Sequence, residues 1–156
     1  MSLRVHVDNV SGVTVGIPSR QRLRRWVSVA LTGECEQAVI AIRIVDEQES
    51  QLLNGQWRGK QKPTNVLSFP MALPEGLGDG FLGDLVVCAP VVMREAVEQE
   101  KPLEAHWAHM IIHGVLHLLG YDHEADEDAE QMESREIFLL ASLGFSDPYA
   151  VLPVNS

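Results

Sequence analysis

His109-Met-Ile-Ile-His113-Gly-Val-Leu-His117-Leu-Leu-Gly120-Tyr-Asp-His123 is the stretch that decides how this 156-residue chain is read. Its apolar residues predict a buried helix, and three histidines interrupt them. Residues four apart on a helix share a face, one turn above the other, so His113 and His117 aim two imidazoles at one point. Gly120 can take the left-handed conformation that ends a helix. The chain then doubles back and brings His123 to the same point. Imidazoles in an apolar run cost desolvation energy unless something satisfies them, and a metal ion does so. A core helix with hydrogen-bonded histidines is the alternative. Three neutral imidazoles suit one Zn2+ per chain, although nickel or another divalent metal would also accept them. Structural zinc sites usually close with a fourth protein ligand, often Cys, whereas catalytic sites leave that position to water. Neither Cys35 nor Cys88 is near the histidines in sequence. A hydrolytic site of three ligands plus water is therefore expected.

Outward from this stretch, Pro102 can start the metal helix, with Glu104 in its first turn where the helix dipole favours an anion. Before it, Pro90 opens a helix running to about Glu100. Phe81–Cys88 reads as a strand containing Asp84, a charge that is either on a solvated face or hydrogen-bonded for a purpose. Residues 71–80, with three Gly and one Pro, read as an irregular loop. Val66–Phe69 is a strand closed by Pro70, and Trp57–Asn65 a loop. Asp46 with Glu49 resembles a capping box opening a short helix that stops near Asn54-Gly55. Gln37–Val45, rich in Val and Ile and apolar nearly throughout, predicts a central strand. Pro18 suits the first turn of a helix whose stripe is Leu23, Trp26, Val27, Ala30 and Leu31, ended by Gly33. Leu3–Asp8 alternates as a strand does. Beyond His123, acidic residues open a last helix, with Ile137, Phe138, Leu140 and Ala141 as its apolar contact and Gly144 with Pro148 ending it. The order βαβαββααα predicts one α+β domain over 1–156. It comprises a small mixed sheet of about four strands with five or six helices, and a zinc-hydrolase-like metal helix packed on the sheet.

Composition narrows the partners. The net charge of −10 argues against a generic nucleic-acid binder. It is also unevenly spread: residues 1–64 hold nine Lys/Arg against six Asp/Glu, and residues 65–156 hold three against sixteen. An anionic partner must meet the first half or a local basic strip. Arg20, Arg22, Arg24 and Arg25 crowd one helix as a solvated face or a phosphate-contacting patch. The N-terminus has no apolar signal core, and no apolar run approaches a membrane span. Two free thiols in a reducing cytoplasm account for the cysteines.

Water on a His-bound zinc ion can have its pKa lowered from about 15.7 to near 7, and so attack carbonyl carbon or phosphorus at neutral pH. The spacing His-x3-His-x2-Gly-x2-His is shared with the metzincin proteases, whose second motif position is a Glu that acts as general base. Here that position is Gly114, which weighs against peptide hydrolysis. Arg58 is the best candidate replacement, an exposed loop arginine in a salt bridge being the alternative reading. A guanidinium stays protonated, so it cannot act as a base, but it can grip two phosphate oxygens and stabilise charge developing on phosphorus. Lys60, Lys62, Thr64 and Asn65 are candidate substrate contacts to a nucleic-acid backbone.

Leu53-Asn54, Trp57-Arg-Gly-Lys60, Pro63-Thr-Asn-Val-Leu-Ser-Phe-Pro70, Gly83-Asp84 and His113–His123 together resemble the YbeY family of bacterial metal-dependent endoribonucleases of rRNA maturation. The resemblance spans residues 53–123. It implies His113, His117 and His123 as zinc ligands and Arg58 as the key residue outside the ligand set. The implied activity is cleavage of single-stranded RNA in 16S rRNA 3′-end maturation and in ribosome quality control. The implied partners are ribosomal RNA and small-subunit proteins in the cytoplasm, with no membrane and no DNA. The rival readings are a ribosome-assembly factor with a structural zinc and, further off, a protease.

Overall fold

A computed structural model describes residues 2–35, 37–71 and 80–150. Strands β1 (Ser2–Asn9), β2 (Gln37–Val45), β3 (Val66–Pro70) and β4 (Phe81–Cys88) alternate with helices α1 (Arg20–Leu31), α2 (Glu47–Arg58), α3 (Ala89–Glu98), α4 (Leu103–Leu118) and α5 (Asp126–Ser142) in the expected order. Most of the loop expected at 71–80 lies outside the described residues. The sheet order is β1-β2-β4-β3, with β3 antiparallel to β4 and the other pairs parallel. The apolar run of β2 is central, as a strand covered on both faces should be. Ile40, Ile42 and Ile44 enter the main core with α1 and α4, and Val45 joins a smaller cluster with Leu67, Val86, Cys88 and Val91. The half-buried Asp84 shares the strand face of Val86 and Cys88 by alternation. Among the described residues no helix is long and apolar enough to cross a membrane.

Helix α1 buries the predicted stripe in full. Its cap is Ser19, whose Oγ accepts from the Arg22 backbone N–H, so Pro18 precedes the helix instead of lying in its first turn. Helix α2 departs further from expectation. Asp46 caps it, accepting from the Glu49 N–H at 2.9 Å, but the Glu49 carboxylate turns to Arg43 and does not close a capping box. The helix also runs through Asn54-Gly55. Asn54 is buried, and its amide donates to the Lys62 carbonyl at 2.8 Å. This tertiary bond replaces the turn that Asn-Gly would otherwise favour. Gly59, at φ 69°, is the residue that ends the helix, and Arg58 therefore sits on the last helical turn and not in a loop. In α5 the apolar contact is Met132, Leu139 and Leu140, while Phe138 is 65% exposed.

Helix α4 carries the site and is the most deeply set. Trp107, Ile111, Ile112, Val115 and Leu116 are fully buried, each contributing about 1.5–3 kcal/mol by leaving water. Gly114 lets the helix approach the sheet closely: a Cβ there would fall 2.8 Å from Leu85 Cδ2 and 3.3 Å from Val66 Cγ2. Ser68 of β3 donates to the Gly114 carbonyl at 2.9 Å. The position occupied by the metzincin general base therefore faces packed sheet, and a carboxylate has no room there. Gly114→Glu should lower the unfolding free energy by more than about 3 kcal/mol, the upper end for overpacking, because a charge would be buried as well. Denaturant titration measures this, and near-wild-type stability would refute the packing argument.

Candidate metal centre

Two devices bring the histidines together. The first is the helical repeat, which stacks His113 above His117. The second is the end of α4. The Tyr121 N–H bonds the Leu116 carbonyl and the Gly120 N–H bonds the His117 carbonyl, both at 3.0 Å, with Gly120 at φ 102°. This is a Schellman closure, which needs a left-handed residue. It reverses the chain and sets the His123 ring 4.8 Å from that of His117 and 5.7 Å from that of His113. The closure has a further effect, because the Tyr121 carbonyl accepts from His117 Nδ1 at 3.0 Å.

The outer nitrogens fix the inner ones. His117 Nδ1 faces a carbonyl and His113 Nδ1 faces the Glu136 carboxylate at 3.0 Å, so both Nδ1 atoms donate. Both Nε2 atoms then present lone pairs, and they face each other across 3.2 Å. Two lone pairs so placed repel unless a cation lies between them. A tetrahedral metal with nitrogens at about 2.0–2.1 Å sets its ligand atoms about 3.3–3.4 Å apart, close to the observed separation. Burial, with the neighbouring His113 and His123, pushes His117 down to about 4, so it is neutral and free to ligate at pH 7. The ligand atoms of His113, His117 and His123 lie within 4.8 Å of one another, and among the described residues no Cys, Asp or Glu joins this group. The three imidazoles thus fit one divalent ion with a side open to the exposed His123.

Glu136 is the residue that reading the sequence missed. It is fully buried on α5 and accepts from His109 Nε2 at 2.8 Å, from His113 Nδ1 and from the Tyr149 hydroxyl. Burial alone would raise its carboxyl, but the hydrogen bonds that the two histidines donate prevail and hold it at about 2. Burial, with the same carboxylate beside it, raises the Tyr149 phenol. His109, His113 and Glu136 also form a compact trio. His109 Nε2 and His113 Nδ1 both bond the Glu136 carboxylate, which makes the trio a hydrogen-bonded support for His113, while His109 Nδ1 is buried without a partner among the described residues. Glu136→Gln should weaken metal binding about 10- to 100-fold with the fold kept, as loss of a carboxylate behind a metal-bound histidine does. Competition against a chromophoric chelator measures it, and unchanged affinity would remove Glu136 from the centre.

The histidines open into a cleft of about 550 Å³ along β3, lined also by Trp57, Arg58, Thr64, Asn65, Asp122 and Glu124. Arg58 is exposed, and among the described residues it forms no ion pair. Thr64 and Asn65 share the cleft, but the Asn65 amide donates to Glu95 at 3.1 Å, and the Thr64 backbone is tied to Ser50. Lys60 and Lys62 are exposed and do not line the cleft. Of the arginines on α1, Arg22 pairs with Glu104 and Arg24 donates to the Leu3 carbonyl.

The profile of the family described as Endoribonuclease YbeY matches residues 13–144. The solution structure of TM1509 from Thermotoga maritima matches with a TM-score of 0.56 and 23% identity. The match covers 99% of each chain, a likeness of fold.

Proposed function

Because this chain belongs to the YbeY endoribonuclease family, we propose that it is a zinc-dependent, single-strand-specific endoribonuclease. Its work would be 16S rRNA 3′-end maturation and ribosome quality control in the cytoplasm, with small-subunit proteins presenting the RNA. The observation that carries this reading is the meeting of the three-imidazole site and Arg58 in one cleft. A divalent ion would supply Lewis acidity and a lowered pKa for water when bound. His113, His117 and His123 would hold it, with Glu136 fixing the ring of His113 and the Tyr121 carbonyl that of His117. Arg58 grips the non-bridging oxygens of the scissile phosphate and stabilises the charge that grows on them. Thr64 lies beside that path. Gly114 removes the carboxylate that peptide hydrolysis would use.

A second reading, an assembly factor with a structural zinc, draws support from Asp122 and Glu124, whose charge at the cleft repels phosphate. Incubating metal-loaded and chelated protein with single-stranded and duplex RNA separates the two. The ribonuclease reading expects metal-dependent cuts in the single strand. Their end groups report the nucleophile, a 2′,3′-cyclic phosphate for the 2′-hydroxyl and a 5′-phosphate for water. Full cleavage by the metal-free protein would contradict it, and no cleavage even on assembled subunits would favour the assembly factor.

A further inference from the structure

We propose that Trp57, braced by Phe69, is a stacking platform for an unpaired nucleobase at the lip of the metal cleft, and that it supplies the preference for single-stranded RNA. This rests on the ribonuclease reading of the cleft. The chain has three tryptophans: Trp26 and Trp107 are 3% and 0% exposed, whereas Trp57 is 68% exposed. An indole so far out of the core leaves a large apolar ring face in water, which a flat ligand can cover. Its position is fixed from two sides. Trp57 lies on the last turn of α2, and the Phe69 ring on β3 meets it edge to face, with centroids 5.7 Å apart and planes at 70°. Phe69 in turn packs on the cluster of Val45, Leu67, Val86, Cys88 and Val91. Both rings line the cleft that holds Arg58 and the three histidines.

The cleft therefore gathers an aromatic face, a guanidinium and imidazoles. A nucleotide presents matching parts, a flat base and a phosphate. Stacking accepts every base, because each has a π-face, whereas bases in a duplex are already stacked and out of reach. The adjacent Arg58 makes this edge suit an anionic strand better than an apolar peptide.

The test uses the full-length protein, kept from cleaving by removal of the metal. A short oligoribonucleotide should quench the intrinsic fluorescence, since Trp57 is the exposed tryptophan, and the same backbone made abasic should not. Trp57→Ala should weaken oligoribonucleotide binding about 5- to 150-fold. On the metal-loaded enzyme it should raise KM with little change in kcat. Trp57→Tyr should restore both, and melting temperature and metal content should not move. Equal affinity in Trp57→Ala, equal quenching by the abasic strand, or quenching by an apolar peptide but not by RNA would each overturn the platform. The two readings fail separately. If wild type cuts RNA only with metal while Trp57→Ala matches it throughout, the platform falls and the ribonuclease stands. If RNA quenches Trp57 but is never cut, the ribonuclease falls and the platform stands.

Discussion

Arg58→Ala should reduce RNA cleavage about 100- to 1,000-fold, the cost of removing one donor aimed at developing charge, while metal content stays at one ion per chain. The two readouts separate because of where Arg58 sits. It is on α2, outside the ligand set, and among the described residues it carries no ion pair. Its loss therefore strips a charge from the cleft without leaving a buried partner exposed. Gly59 ends the helix immediately after it, and the Lys60 N–H reaches the Asn54 carbonyl at 3.3 Å, so the backbone under Arg58 is fixed. Arg58→Lys should recover only part of the rate, since an ammonium lacks the planar fork that matches two phosphate oxygens. Single-turnover cleavage with elemental analysis on the same sample measures both. An unchanged rate would make Arg58 a surface residue.

His117→Ala should have the larger effect, bringing cleavage to background along with loss of the metal. His117 is the ring whose Nε2 faces that of His113, and its Nδ1 is held by the turn that also delivers His123. Removing it leaves two imidazoles, of which His123 is exposed on a bend. Metal should then no longer stabilise the fold. For wild type, the gain is about 4.1 kcal/mol when free metal is 1,000 times the dissociation constant, and it should vanish in the variant. Melting curves with and without added metal read this directly. A metal-dependent shift that survives in His117→Ala would place the ion elsewhere.

The sequence carried the metal helix because its signals are local: the spacing of His113 and His117, and Gly120 positioned to reverse the chain. The strands β2 and β4 were legible for a similar reason, each being a short run of branched apolar residues between turn signals. Arg58 was named, but its setting was misread. Asn54-Gly55 is a turn signal in isolation, and only the bond from Asn54 to the Lys62 carbonyl keeps the helix going. The sequence offers Asn65 as a polar loop residue, and only the fold brings Glu95 to hold its amide. Glu136 was hidden among the acids of α5. The buried stripe there is Met132, Glu136, Leu139 and Leu140, at i, i+4, i+7 and i+8, and a lone carboxylate on an apolar face was the available signal. A contact face of Ile137, Phe138, Leu140 and Ala141 corresponds to a rotated helix with that carboxylate turned outward.

The proposed chemistry requires an ion held by three imidazoles with one position left open. X-ray absorption at the zinc edge of the metal-loaded protein tests it most directly. Three imidazole nitrogens at about 2.0–2.1 Å with one exchangeable light ligand is the expected first shell. A sulfur ligand at about 2.3 Å, or a fourth ligand from the protein that no added anion displaces, would contradict it.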